Sequence, residues 1–371
     1  MENDFSKNLC WVSYIHPYTF VIPDDEKPWE VPLKEINSVS YNVGNLMRIV
    51  CKIKTDNNEL DALVCYDGAI AIARNGKYYK KEEAVKFFNS LFSKLIFSGF
   101  YVEGIDSRDV VSGILHNRWG IYVTEFGSSA PSQLHSKIRA GMVNNIDSIY
   151  LSGPRVLKIN LLNQMIENGN SILKKIPNLT PKFLNNGITE IRYRNWDLVL
   201  SNLWIISEQL IDYLWHNDFL SNYNNHPKDE INGRKKSLKD DSRTWSMAVK
   251  QEILFQNKVI SEIVLSRLYN SRKARNKLVH EGKDVQRQIA FELFKAVQEL
   301  LRNITGDETL LAKEIFLEDK VFLNSNKNGD EKFDDSIYED WRNLPDENIV
   351  ENILGEYVTK RLKLSNPSEQ K

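Results

Sequence analysis

Hydrophobic positions in this chain follow two different periods, and the change from one to the other divides it. Residues 47–53 and 60–66 are rich in valine, isoleucine and cysteine, and Ala69, Ile70, Ala71, Ile72 and Ala73 lead into Asn75-Gly76. Short apolar runs closed by an Asn-Gly pair read as strands and a two-residue hairpin, so a small antiparallel meander is expected here. Residues 81–97 switch to helical spacing: Val85, Phe88, Leu91, Phe92, Leu95 and Ile96 fall on one face, and Gly99 supplies a stop. A further strand is expected over residues 119–125.

Residues 127–132 (Gly-Ser-Ser-Ala-Pro-Ser) are the clearest loop of this half and close an α/β domain at residues 1–130. Helical spacing prevails beyond it. Residues 156–176 carry Leu157, Ile159, Leu161, Leu162, Met165 and Ile166 but are interrupted by Gly169, which suggests two short helices or a connector within 131–185. Two long amphipathic patterns follow, 188–215 and 245–278, separated by a polar segment at 222–241 with Pro227 and Gly233. A third helix is expected over 285–303, after Gly282, and the three make a helical domain at 186–305. From residue 306 to 357 there are 15 acidic and five basic residues, so 306–371 reads as an acidic extension with a basic end. The expected fold class is α+β.

Composition narrows the function. The 49 basic and 50 acidic residues nearly cancel, which excludes coating of nucleic acid through net charge and leaves only local contacts. Cys10, Cys51 and Cys65 are odd in number and lack C-x-x-C spacing, so neither a disulfide framework nor a zinc site is expected and a reducing cytoplasm is the simple inference. The amino terminus, Met-Glu-Asn-Asp, has no leader character, and no apolar window approaches the ~20 residues that span a bilayer. A cytoplasmic protein with no membrane contact and no cofactor or metal is expected. No phosphate-binding G-x-x-x-x-G-K-S/T or hydrolase G-x-S-x-G sequence is present.

Candidate chemistry lies near residue 275, where the chain reads Arg272-Lys273-Ala274-Arg275-Asn276-Lys277-Leu278-Val279-His280-Glu281-Gly282. On a helix Asn276 and His280 share a face, while Arg275 lies ~140° from His280 and needs its long side chain to reach the same patch. An imidazole moves protons near neutral pH, and a guanidinium holds phosphate through paired N–H donors. At the end of a helix the dipole favours imidazolium, which suits an acid for a leaving ribose oxygen. Of the six histidines only His280 has an arginine five, six or seven residues upstream. Between residues 267 and 277 there are five basic residues and no acidic one, so Arg272, Lys273 and Lys277 are candidate RNA contacts.

The R-x4-H pattern of Arg275 and His280, with the polar Asn276 after the arginine, resembles that of the HEPN superfamily of RNA-acting helical domains, in particular its ApeA-like branch. Residues 204–211 resemble the family's preceding helix, where an acidic residue followed by leucine faces the motif; here that residue is Glu208. The resemblance covers residues 186–304. It implies a four-helix bundle that forms a homodimer, in which two motifs flank one RNA phosphate. It also implies a metal-independent endoribonuclease acting on tRNA or mRNA, which leaves 2′,3′-cyclic phosphate and 5′-hydroxyl ends. Bacterial proteins of this kind serve as antiphage or toxin effectors, so a phage-derived trigger or an antitoxin is an implied partner, and the amino-terminal domain would sense that trigger or restrain the nuclease.

Blander readings stand beside these. His280 can cap its helix through the last carbonyls, Asn276 can cap the turn, and Glu208 can pair with a basic residue across the bundle. Trp196, Trp204, Trp215 and Trp245 read as core or dimer interface rather than base-stacking platforms, and His216 and His226 have no partner at ligand spacing. The alternative function is a non-catalytic module that binds RNA, a nucleotide or a partner protein. The acidic segment can act as a nucleic-acid mimic over the motif or be an ordinary solvated extension.

Overall fold

A computed structural model describes residues 9–306 apart from 39, 56–59, 117–119, 153 and 222–243, together with residue 311. The fold is mixed. An antiparallel sheet of six strands has the order β3-β4-β5-β1-β6-β7, with β1 Leu9–Tyr14, β3 Ile49–Ile53, β4 Ala62–Cys65, β5 Ala69–Ala73, β6 Val111–His116 and β7 Gly120–Val123. A separate pair, β2 Thr19–Ile22 and β8 Arg155–Lys158, runs parallel. The sheet is larger than the expected meander because β1 is buried along almost all its length and therefore shows no alternation of apolar and polar residues.

Successive side chains of the central strands serve two cores. Trp11, Val64, Ile70 and Ile72 face α3 (Lys81–Phe97), which buries Phe88, Leu91, Phe92 and Leu95 against them. Cys10, Val12, Tyr14, Cys65, Ala69 and Ala71 point to the other face and meet Val111 and Ile121 there. Small residues prevail on this second face because the sheet turns in on itself: a Cβ at Gly120 would lie 2.0 Å from the Met47 carbonyl oxygen, just before β3, and Gly120 has φ +87°. The Asn75-Gly76 pair makes no two-residue hairpin. It opens a 3₁₀ turn, Gly76–Tyr79, into α3, and the hairpin joining β4 to β5 turns at residues 66–68, with Gly68 at φ +78°.

Ser129 caps α4 (Ala130–Arg139) by accepting the Ser132 N–H, so residues 127–132 lead directly into a helix that returns to the sheet. Short helices α1 (Leu33–Ser38), α2 (Val43–Met47) and α5 (Asn145–Ser148) complete this part. Arg139 reaches the β4–β5 turn and donates from Nη1 to both Asp67 oxygens at 2.5 and 2.6 Å, and from Nη2 to the Ile121 carbonyl at 2.6 Å. His135 Nε2 lies 3.2 Å from Asp67 Oδ2, and its ring stacks on Tyr14 with centroids 4.0 Å apart. Burial works against the Asp67 charge, but Arg139 and His135 outweigh it and hold the carboxyl below its usual range.

His16 and His135 are both fully enclosed, and burial pushes the pKa of each below the ordinary value, with the neighbouring histidine adding to the effect on His16. Unfolded, each titrates near the ordinary ~6.5 and takes a proton that the folded state refuses. Stability is therefore complete well above that pH and falls as the pH drops below it toward the folded pKa values. Urea midpoints at pH 7.5 and 5.5 test this: a lower midpoint at pH 5.5 is expected, and an equal or higher one contradicts it.

Residues 156–176 hold β8 and then one unbroken helix, α6 (Ile159–Lys175), rather than two short helices. Gly169 does not interrupt it. A Cβ there would lie 2.3 Å from the Lys94 Cα, so the glycine lets α6 and α3 meet backbone to backbone. Gly169→Val should push the helices apart at a cost of about 1–3 kcal/mol, read as a lower unfolding midpoint; an unchanged midpoint would show that the contact is slack.

Each long helical pattern is two helices. The first comprises α7 (Pro181–Arg192) and α8 (Trp196–Leu214), with Arg194 at φ +57° between them. The second comprises α9 (Met247–Gln256) and α10 (Glu262–Glu281), with Lys258 at φ +60°. The third helix, α11, spans Arg287–Thr305. A single core joins Leu203, Ile206 and Leu210 of α8 to Ile188 of α7, Leu268 of α10, and Leu293, Val297 and Leu300 of α11. It continues into Ile96 and Phe97 of α3, and the Asn185 amide of α7 donates to the Asn89 carbonyl of α3 at 2.8 Å. The described residues thus belong to one compact unit. The polar segment at 222–241 and, apart from residues 306 and 311, the acidic extension lie outside the described residues.

Candidate active site

Helix α10 carries the candidate motif, and its ends are fixed by short-range chemistry. Ser261 accepts the Val264 N–H at 3.2 Å at the start. At the other end Gly282 takes φ +64°, and the N–H groups of Gly282 and Lys283 donate to the carbonyls of Leu278 (3.1 Å) and Lys277 (3.4 Å). This paired closure favours glycine through its positive φ. His280 sits in the last turn, exposed, and its ring makes no hydrogen bond among the described residues. The backbone thus satisfies these two late carbonyls, and the imidazole remains open to a ligand.

Arg275 is half-buried and turns toward α8, where its charge acts on Glu208. The Glu208 carboxylate accepts the Trp204 indole N–H at 2.8 Å, one turn back on α8. Burial raises its pKa above the usual carboxylate range, against the opposing pull of that hydrogen bond and of Arg275. No direct ion pair joins Glu208 to Arg275 among the described residues. The carboxylate thus feels the guanidinium without consuming its donors.

Asn276, Lys273 and Lys277 are exposed, as expected for residues that meet a ligand or only solvent. The Arg272 guanidinium lies 5.6 Å from the centre of the Tyr269 ring, and its Nη1 is buried without a hydrogen-bond partner. Arg267 differs from its neighbours in the run. It is bound to Glu292 (2.7 Å) and Glu299 (3.3 Å) of α11, so one of the five basic residues between 267 and 277 is neutralised within the fold. The local positive excess rests on the other four.

At ~100° per residue, Tyr269, Arg272, Asn276 and His280 line one stripe of α10, with Val279 beside it. Tyr269 is 53% exposed and Val279 57%, so the stripe is apolar as well as basic. Neither residue stands out in the sequence as a candidate, although seven-residue steps lead from 269 to 276 and from 272 to 279. Neither a family model, nor a curated protein, nor a solved structure matches this chain. Among the described residues no helix is long and apolar enough to cross a membrane.

Proposed function

We propose that this protein is an endoribonuclease that works without a metal through Arg275 and His280, and that α7, α8, α10 and α11 form a HEPN-like four-helix bundle acting as a homodimer. The observation that carries this reading is the display on α10: among the described residues, an exposed imidazole with no hydrogen-bond partner at the end of a basic, partly apolar stripe, and on the neighbouring face a half-buried guanidinium with no ion pair. Guanidinium donors suit the two non-bridging oxygens of a phosphodiester. A neutral imidazole suits removal of the proton from the ribose 2′-hydroxyl.

In the proposed reaction O2′ attacks the adjacent phosphorus, the P–O5′ bond breaks, and the leaving oxygen takes a proton from an imidazolium. The products are a 2′,3′-cyclic phosphate and a 5′-hydroxyl. The step needs a base and an acid at once, and one α10 supplies one histidine, so the pair would come from two copies of the chain related by a two-fold axis. Glu208 orients Arg275 in this reading, while Asn276 holds His280 or phosphate, and Arg272, Lys273 and Lys277 take flanking phosphates.

The same stripe favours a second reading, a module that binds RNA, a nucleotide or a partner protein without cutting. Product ends separate the two. Cyclic phosphate ends formed in EDTA by wild type and lost in His280→Ala support the nuclease, whereas saturable RNA binding without products supports the module.

A further inference from the structure

A second basic surface lies on the sheet side of the molecule, at the 3₁₀ turn between β5 and α3. It carries Arg74, Lys77, Lys80 and Lys81 with no acidic residue among positions 74–81. Tyr79, at the centre of this run, is 64% exposed. The Arg74 guanidinium lies between two aromatic rings, 4.6 Å from the Trp11 centroid and 5.5 Å from that of Tyr79, and forms no ion pair or side-chain hydrogen bond among the described residues. Its Nε is buried without a partner.

Part of this arrangement serves the fold. Arg74 and Lys81 cover the outer face of Trp11, where Lys81 lies 5.7 Å from the ring centre, and Lys81 also stands 4.0 Å from Glu125. Acidic neighbours Glu82 and Glu83 follow in α3, but Glu83 is held by Lys86 at 2.6 Å. Tyr79, Lys77 and Lys80 are all exposed, and packing does not explain an exposed tyrosine ring held against a guanidinium with unused donors.

We infer that this corner binds single-stranded nucleic acid, with one base stacked on Tyr79 and the neighbouring phosphates taken by Arg74, Lys77 and Lys80. A single strand fits because its bases have free π-faces, whereas the bases of a duplex are already stacked, and stacking combined with cations along a backbone is how such strands are held. The fixed guanidinium offers paired donors to a phosphate beside the stacked base. This inference does not depend on the chemistry proposed for α10.

The test uses the full chain and a dye-labelled 20-nucleotide 2′-O-methyl oligouridine, which lacks the hydroxyl that α10 would need for cleavage. Anisotropy titrations compare wild type, Tyr79→Ala, Tyr79→Phe, the Lys77→Glu/Lys80→Glu double variant, Arg275→Ala and Tyr79→Ala/Arg275→Ala, after melting curves confirm folding. Tyr79→Ala should weaken binding roughly 5- to 150-fold and Tyr79→Phe far less. The double variant should also flatten the salt dependence, and the Tyr79 effect should persist in the Arg275→Ala background. Absence of binding by wild type, equal binding by wild type and Tyr79→Ala, or competition by polyglutamate as strong as by unlabelled oligouridine would each overturn the inference. The last result would point to an acidic protein instead.

Discussion

Asp67→Ala is expected to destabilise the protein by about 3–5 kcal/mol, a large share of the ~5–15 kcal/mol stability of an ordinary domain. Asp67 is fully buried and Arg139 is 1% exposed, so removal of the carboxylate leaves a guanidinium enclosed with one carbonyl and a thiol for company. The carboxylate also accepts the Ala69 N–H at 3.2 Å and fixes the β4–β5 turn. A buried ion pair as a whole contributes little relative to an apolar pair of similar shape, because desolvation offsets attraction; the large cost arises when one partner is orphaned. The double variant Asp67→Ala/Arg139→Met should therefore lose clearly less than the sum of the two single losses. Urea unfolding of the four proteins at pH 7.5 checks both statements. A loss below 1 kcal/mol for Asp67→Ala, or strict additivity, would remove the pair from its place as the keystone of α4 on the sheet.

His280→Ala should lower RNA cleavage by about 10²–10⁴-fold, the range that a positioned proton donor or acceptor contributes, and Arg275→Ala by about 10²–10³-fold, as for loss of a donor to the developing phosphate charge. His280 is exposed and its ring makes no hydrogen bond among the described residues, so its replacement should leave stability within about 0.5 kcal/mol. Arg275 is half-buried and acts on Glu208, and a slightly larger change is expected there. If the two residues act in one step, the double variant should be little worse than either single one. Retained cleavage in both single variants would sink the assignment, however the bundle is assembled.

Local signals and distant partners account for what the sequence disclosed. Helix α3 was legible to both ends because its apolar residues recur at helical spacing toward the sheet, α6 and α7, while Glu82 and Lys86 stay exposed near its start. The six-stranded sheet was only partly legible. Its inner strands are buried on both sides and show no alternation, and β8 runs without a break in pattern into α6. The breaks at Arg194 and Lys258 were invisible, since the left-handed backbone there is held by tertiary context and not by glycine or asparagine.

The candidate motif was readable because arginine, asparagine, histidine and glycine fall within one segment. Its surroundings were not. The neutralisation of Arg267 depends on Glu292 and Glu299 of another helix, and the influence of Arg275 on Glu208 depends on how α8 meets α10. Asp67, His135 and Arg139 passed unnoticed for the same reason, as 68 and 72 positions separate the aspartate from its partners.

Cleavage chemistry tests the central claim most directly. Purified wild type and His280→Ala would be incubated in EDTA with total tRNA and with a mixed RNA pool, and the product ends mapped. The account predicts cuts by wild type alone, each with a 2′,3′-cyclic phosphate on one fragment and a 5′-hydroxyl on the other. Cutting that persists in His280→Ala, or products that end in a 3′-hydroxyl and a 5′-phosphate, would contradict it.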